Sequence, residues 1–141
     1  ICINMAIDTT TISLGTMTTA AVAEADQTYT INTNNSGGIT VSIDADAVLD
    51  SGANTIDDVS DGTVTAGAEE YGISVDNVSG VSVSSPYDSG DDPVPTAIDE
   101  IATSSAALSA ATFDINYKAG IAGTTAEGNY AQVVTVTVAT N

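Results

Sequence analysis

Carboxylates are the only reactive side chains that this chain carries in quantity. It has 19 Asp and Glu residues, a single basic side chain and no His. Two stretches concentrate acidic residues, and carboxylate oxygens are ligands that Ca²⁺ prefers. The candidate calcium ligands are Asp57, Asp58 and Asp61 in the first stretch, and Asp88, Asp91 and Asp92 in the second. Neither stretch has the terminal Glu of an EF-hand loop, so a solvated acidic loop without metal is the alternative interpretation.

The same composition argues against an enzyme. Ser-His-Asp and Cys-His nucleophiles, and zinc sites built on His, need a residue type that the chain lacks. No glycine-rich phosphate-binding motif is present. Paired carboxylates can hydrolyse glycosides, but the chain has no Trp to form a sugar-binding platform. We therefore predict a protein that is not an enzyme.

A few positions are candidates for covalent modification. Asn34 and Asn77 each begin an Asn-x-Ser sequon in a turn-like stretch, which makes them candidate N-glycosylation sites. Lys118 has two interpretations, an ion pair with an acidic residue or an isopeptide bond to an Asn. The single cysteine, Cys2, excludes an internal disulfide. We interpret it as a small apolar residue, with an intermolecular disulfide as the alternative.

The net charge of −18 restricts the partners of the protein. Nucleic-acid binding and adsorption to an anionic membrane both require basic side chains, so neither is expected. No apolar run is long enough to span a membrane. The near absence of basic residues and the Thr-rich composition favour an exported protein at the cell surface or outside the cell.

The first seven residues alternate without interruption between large apolar and small or polar side chains. The apolar positions are Ile1, Ile3, Met5 and Ile7, and the first charge is Asp8. A period of two predicts a strand that buries one face. The chain does not begin with Met, so we expect this segment to be a mature end exposed by cleavage of a leader. Ile12 and Leu14 repeat the pattern and are the alternative pair for burial in an interface.

Short alternating segments recur through the rest of the chain and predict further strands. Gln27–Thr33 and Ile39–Ile43, joined by an Asn- and Gly-rich turn, predict a β-hairpin. Further predicted strands cover 11–17, 63–65, 71–75, 78–83, 112–119 and 130–138. Thr96 and Asp99 resemble a helix-capping box, so we predict one short helix over about 97–108. The expected fold is an all-β antiparallel sandwich with one inserted helix.

Two segments resemble exported jelly-roll or immunoglobulin-like surface domains. They are "ISLGTM…QTYTINTNNSGGITVSID" (12–44) and "INYKAGIAGTTAEGNYAQVVTVTVAT" (115–140). The layout of an apolar N-terminus, a sandwich, a helix and a Val-Thr closing strand is similar to TasA/camelysin-type matrix fibre subunits and archaeal bundling pilins. This resemblance implies a jelly-roll sandwich that polymerises by donor-strand complementation, in which the N-terminal strand of one subunit completes the sheet of the next.

We therefore predict a homopolymeric subunit of an extracellular filament. Residues 1–10 would be the donor strand and residues 11–141 a single sandwich domain. The donor side chains would be Ile1, Ile3, Met5 and Ile7, with Ile12 and Leu14 as the alternative pair. The competing hypothesis is a monomeric adhesin or binding module, in which residues 1–7 pair within their own sheet.

Overall fold

The computed structural model describes all 141 residues and contains eight strands and no helix. The strands are β1 (Ile3–Ile7), β2 (Ala23–Thr33), β3 (Ile39–Ala45), β4 (Glu70–Ser79), β5 (Ser82–Val83), β6 (Asp99–Ser104), β7 (Leu108–Gly120) and β8 (Val134–Thr140). The β-branched and alternating segments of the sequence supply most of these strands. The all-β fold class is therefore confirmed.

The strands form two four-stranded antiparallel sheets that face each other as a sandwich. The first sheet has the order β1-β2-β7-β4 and the second has the order β5-β6-β3-β8. Strands β1 and β8 are therefore edges, and they contact each other across the same side of the sandwich. Strands β4 and β5 are the edges on the opposite side and also contact each other.

Alternate side chains of the central strands fill the space between the sheets. Tyr29 of β2 stacks on Phe113 of β7 with ring centroids 5.0 Å apart, and both rings are almost fully buried. From the second sheet, Ile39, Val41 and Ile43 of β3 point into the same core and are fully buried. This alternation places the polar residues of the same strands on the outer faces of the sandwich.

The helix predicted over 97–108 is wrong. Its first half is strand β6, which pairs with β3 and β5, and its second half is the turn into β7. Asp99 accepts a hydrogen bond from the Tyr87 hydroxyl at 2.9 Å. Ile101 and Ala102 are both fully buried because the pairing with β3 contains an irregularity between Val41 and Ser42. Long-range pairing thus overrides a local capping signal.

The hairpin predicted from Gln27–Thr33 and Ile39–Ile43 is also wrong, although both segments are strands. They belong to different sheets, and residues 34–38 carry the chain from one sheet to the other. The buried Asn35 side chain donates hydrogen bonds to the carbonyls of Gly38 and Asn141, which fixes this crossing. Gly38 has φ +80° and a Cβ there would lie 2.0 Å from the Ser104 carbonyl oxygen, so only glycine fits.

Two of the shorter predicted strands are not formed: residues 11–17 and 63–65 lie outside all strands. The predictions over 71–75 and 112–119 fall within β4 and β7, and the prediction over 130–138 overlaps β8. The structure has no helix of the length and apolarity that a membrane span requires.

Candidate functional site: the N-terminal groove

Strand β1 lies at the edge of the first sheet and pairs only with β2. Its register aligns Ile3 with Thr33 and Ile7 with Tyr29. Ile3, Met5 and Ile7 point inwards and are half-buried against the core, whereas Asn4 and Ala6 point outwards and are exposed. The alternation predicted from the sequence is therefore present at these positions. Ile1 is 89% exposed and makes no comparable contact.

Side-chain hydrogen bonds hold both ends of β1 against β2. At the start, the backbone N–H of Cys2 donates to the Asn34 side chain at 2.8 Å, and Thr33 donates to the Cys2 carbonyl at 3.0 Å. At the end, Asp8 donates its N–H to the Thr28 carbonyl and accepts the Thr28 N–H on its carboxylate, at 3.1 and 2.9 Å. Three of these four contacts use a particular side chain, that of Asn34, Thr33 or Asp8, and they therefore define one register.

Beyond β1, the chain continues along the same open side of the sandwich without forming a strand. Ile12 and Leu14 are half-buried against the core there. A cavity of about 130 Å³ lies beneath them, lined also by Gln27, Tyr117 and Val134. A second cavity of about 770 Å³ separates residues 11–17 from loop 121–130. This part of the chain is therefore loosely packed.

The polar group beneath this segment is the side chain of Gln27, which is only 7% exposed. Its amide nitrogen donates to the Thr9 carbonyl at 2.7 Å. Its amide oxygen accepts from the hydroxyls of Tyr29 and Tyr117, at 2.5 and 3.5 Å. Burial raises the pKa of Tyr117 to about 12. Burial also raises the pKa of Tyr29, and electrostatic repulsion from Tyr117 and Asp8 adds to this rise. Both hydroxyls therefore remain neutral donors, and the amide is held with its N–H facing the N-terminal segment.

Strand β8 forms the far wall of this site. Its inward side chains, Val134, Val136 and Val138, are half-buried and pack on the same core as β1. We name the space between the edge of β2 and β8 the N-terminal groove; it is filled by Ile3, Met5, Ile7, Ile12 and Leu14. Sequence reasoning found these five side chains but missed Gln27 and the tyrosines beneath them. The available signal was a Gln in the inward register of a strand whose other buried positions are Tyr29, Ile31 and Thr33.

The two acidic stretches lie against each other beside β4. The Asp91 N–H donates to the Gly62 carbonyl at 2.9 Å. Asp91 is 6% exposed, and its two oxygens bind Lys118 Nζ at 2.7 Å and the Val64 N–H at 2.9 Å. Asp61 accepts the Thr63 N–H at 3.1 Å.

No three acidic, Cys or His side chains converge as a metal ligand set. Burial, followed by the neighbouring charge of Asp57, raises the pKa of Asp58. Burial, followed by the charges of Asp91 and Asp88, raises the pKa of Asp92. The structure therefore uses Asp91 as an ion-pair partner and leaves the other acidic residues dispersed.

The backbone of these acidic stretches covers the outer edge of β4. Val59 donates its N–H to the Tyr71 carbonyl and Tyr71 donates to the Asp57 carbonyl, at 2.9 and 2.8 Å. Asp92 and Ile73 exchange two hydrogen bonds, each of 2.8 Å. The acidic residues thus close one edge of the sandwich, on the side opposite to the N-terminal groove.

The candidate modification sites are separate from the groove floor. Asn77 is exposed, adopts φ +50° and donates to the Asp114 carboxylate at 2.5 Å. Asn34 is exposed and its side-chain oxygen holds the Cys2 N–H. Lys118 forms the ion pair with Asp91, in keeping with the first of its two interpretations. Burial alone would lower the pKa of Lys118, but the hydrogen bond and charge of Asp91 outweigh it and raise that pKa.

The N-terminal groove is the candidate functional site because the apolar side chains of the N-terminal segment lie there against an apolar surface of the sandwich. Its floor belongs to β2, β7 and β8, and its occupant is the first part of the same chain. No protein-family model, curated protein or solved structure matches this chain.

Proposed function

We propose that this protein is a structural subunit of an extracellular filament, in which the N-terminal segment of one copy fills the groove of the next. The observation that carries the proposal is the position of β1. It lies at a sheet edge, completes the core with only half-buried side chains, and precedes a long segment without strands. A strand so placed can leave one chain and join another.

The connecting segment is long enough for this exchange. Residues 8–22 separate β1 from β2, and an extended chain spans about 3.3–3.6 Å per residue, so these residues reach about 50 Å. The diameter of a domain of this size is roughly 30–40 Å, judged from its expected radius of gyration. Residues 11–17 form no strand and lie over cavities, so lifting them breaks no strand pairing and uncovers the half-buried side chains of Ile12, Leu14 and Met17.

Exchange conserves the contacts of the groove. The neighbour's Ile3, Met5 and Ile7 would occupy the places that the chain's own residues hold, and its Thr9 would meet the same Gln27. Domain swapping of an identical element is a low-cost route to assembly for this reason. If each copy donates to the next rather than back to its donor, the contact is heterologous and does not close, which generates a filament.

The finer fold assignment belongs to the same proposal. We propose a jelly-roll-like sandwich of the kind found in TasA/camelysin-type fibre subunits and archaeal bundling pilins, on the resemblance of residues 12–44 and 115–140. The supporting observation is that five connections cross between the two sheets, namely β2–β3, β3–β4, β4–β5, β6–β7 and β7–β8.

A monomeric cell-surface binding module is the second candidate. The observation that favours it is that β1 pairs with β2 of its own chain and is pinned at both ends by Asn34 and Asp8. A monomer of this kind would elute as a single stable species in size-exclusion chromatography at every concentration.

A disulfide trap distinguishes exchange from self-pairing. Ala6 and Thr30 are directly paired and point to the outer face, and such partners have Cα atoms about 5.5 Å apart, within disulfide range. We would combine Ala6→Cys and Thr30→Cys with Cys2→Ser, oxidise the assembled protein, and separate the products by non-reducing denaturing electrophoresis.

Exchange predicts a ladder of covalent multimers, together with filaments in electron micrographs. Covalently closed monomers alone would overturn the proposal and leave the binding module. A variant lacking residues 1–8 should form no filaments, and adding a peptide of residues 1–14 should raise its thermal stability. Normal filaments from the truncated variant would also contradict the proposal. The control peptide carries Met5→Asp, which should not bind.

A further inference from the structure

The outer edge of β8 is a row of unpaired backbone groups. Asp46 donates its N–H to the Val133 carbonyl, which fixes the alternation of hydrogen bonds between β3 and β8. By this alternation, Thr135 and Thr137 bond to β3. The N–H and C=O groups of Val134, Val136, Val138 and Thr140 point to the free edge, where no strand pairs with them.

The two edges on the opposite side of the sandwich are protected and the edge of β8 is not. On the opposite side, β4 is covered by 57–59 and Asp92, and β5 has only two residues. Natural sheets protect exposed edges with charges, prolines, bulges or very short strands. Residues 134–140, with the sequence VTVTVAT, contain none of these, and their pairing with β3 is regular.

The absence of charge on β8 indicates which partner fits this edge. The chain carries a net charge of −18, and a partner with positive charge would be recognised best by an acidic surface. An uncharged edge is instead the place where two copies of the same acidic chain can approach with the least repulsion. The edge is also self-complementary, because an antiparallel pair of β8 strands centred on Thr137 places Val136 opposite Val138 and Thr137 opposite its own counterpart.

We propose that two copies of this chain associate by antiparallel pairing of their β8 strands around a two-fold axis at Thr137. Val136 of each copy pairs with Val138 of the other, and Val134 pairs with Thr140, so that the free backbone groups bond across the axis. The second sheet of one copy (β5-β6-β3-β8) then continues into the second sheet of the other copy. The half-buried valines of both copies become more deeply buried. This contact does not depend on which chain supplies the N-terminal segment.

The charges on the neighbouring strand β3 remain well separated in this arrangement. Asp44, on β3, is opposite Thr135. The two Asp44 residues of the pair are separated by three interstrand spacings, or about 14 Å, and they are also offset along the strand direction. This distance exceeds the Debye length of about 8 Å at physiological ionic strength, so the repulsion is largely screened.

The test uses the exposed side chain at the two-fold axis. Thr137 would face its own counterpart in a non-hydrogen-bonded pair with Cα atoms about 4.5 Å apart, which suits a disulfide. We would compare Thr137→Cys with Ser82→Cys, each in the full chain with Cys2→Ser. Ser82 is exposed on β5, the other edge of the same sheet. A second pair, Thr137→Glu and Ser82→Glu, would be compared by sedimentation velocity.

The proposal predicts a covalent dimer as the main oxidation product at position 137 and a trace at position 82. Thr137→Glu should lose the dimer, or the lateral association of filaments, whereas Ser82→Glu should keep it. Equal cross-linking at both positions, or unchanged sedimentation of Thr137→Glu, would overturn the proposal. If Thr137→Glu forms normal filaments that no longer associate laterally, both N-terminal strand exchange and β8 pairing are supported. If cross-linking at position 137 occurs but no filaments form, only β8 pairing is supported.

Discussion

The side-chain amide of Gln27 donates a hydrogen bond of 2.7 Å to the backbone carbonyl of Thr9. Gln27 lies on the buried face of β2, and Thr9 follows directly after the edge strand β1. The same amide accepts hydrogen bonds from Tyr29 and Tyr117. A buried polar network with all members bonded specifies a single arrangement, so this contact sets where the N-terminal segment stops along the groove.

Replacing Gln27 with Leu should loosen the N-terminal segment. The variant leaves the Thr9 carbonyl and two tyrosine hydroxyls without partners, and an unsatisfied buried group costs about 1–3 kcal/mol. We expect a lower free energy of unfolding in urea and faster amide hydrogen exchange in residues 3–9. Gln132→Leu is the matched control, because Gln132 bonds to Tyr71 and Ala47. It should lower stability without a selective effect on residues 3–9, and equal exchange in both variants would contradict the role of Gln27.

An acidic residue on the inner face of β1 should prevent docking of this strand. Met5 points into the groove, whereas Asn4 points outwards, and the two differ by one position along the strand. Met5→Asp places an unpaired charge on the half-buried inner face of β1, against the apolar core, where it is unfavourable. We expect Met5→Asp to abolish filaments seen by electron microscopy and Asn4→Asp to retain them. Filaments of normal length from Met5→Asp would place the interface elsewhere.

The alternation of β-branched and polar residues was sufficient to predict the all-β class and most strands, because a period of two is a local property. Partner choice was not predictable in this way. Tyr29 of β2 is paired with Phe113 of β7, which lies 84 positions further along the chain (113 − 29), and not with the adjacent β3. The helix predicted over 97–108 failed for the same reason, since β3 recruits Ile101 and Ala102.

The groove was predictable only in part. The apolar positions of its occupant follow from alternation alone, and Ile12 and Leu14 keep this pattern without forming a strand. The floor is assembled from residues of β2, β7 and β8, and no local pattern brings Gln27, Tyr117 and Val134 together. The covering of the β4 edge by acidic stretches was missed because it uses backbone groups of irregular segments.

Removing the only basic side chain should destabilise the fold. Lys118→Met leaves the Asp91 carboxylate, 6% exposed, without its partner. Breaking a buried ion pair costs about 3–5 kcal/mol, and we expect the lower end because the Lys118 side chain is partly exposed. Urea unfolding measures the loss. Adding Asp91→Asn to Lys118→Met should recover part of it, and no recovery would show that Lys118 acts through its packing alone.

Stability should rise as the pH falls below neutral. Folding raises the pKa of Asp58 and Asp92, mainly through burial. The folded protein therefore takes up protons before the unfolded chain does, and the cost of ionising these groups disappears as the pH falls through their raised pKa values. Below the ordinary value of 3.8 no further gain is expected.

Urea unfolding at several pH values tests this prediction. Asp58→Asn and Asp92→Asn should each flatten the pH dependence of stability between neutral pH and the ordinary carboxyl range. Glu127→Gln, at an exposed position, is the control for loss of one negative charge. A pH profile that is the same in all three variants would assign the effect to net charge rather than to these two residues.

Assembly should depend on ions that reduce repulsion between subunits. Each copy would bring a net charge of −18 into the proposed filament, and repulsion between exposed charges weakens with salt, acid or divalent cations. We expect light scattering to show faster assembly with Ca²⁺ or at low pH than at neutral pH in low salt with a chelator. A comparison of Ca²⁺ with NaCl at the same ionic strength distinguishes charge screening from calcium binding by Asp57, Asp61 or Asp88. An Asp61→Asn variant whose assembly no longer responds to Ca²⁺, but still responds to NaCl, would indicate calcium binding. Equal assembly in all of these conditions would contradict a role for repulsion.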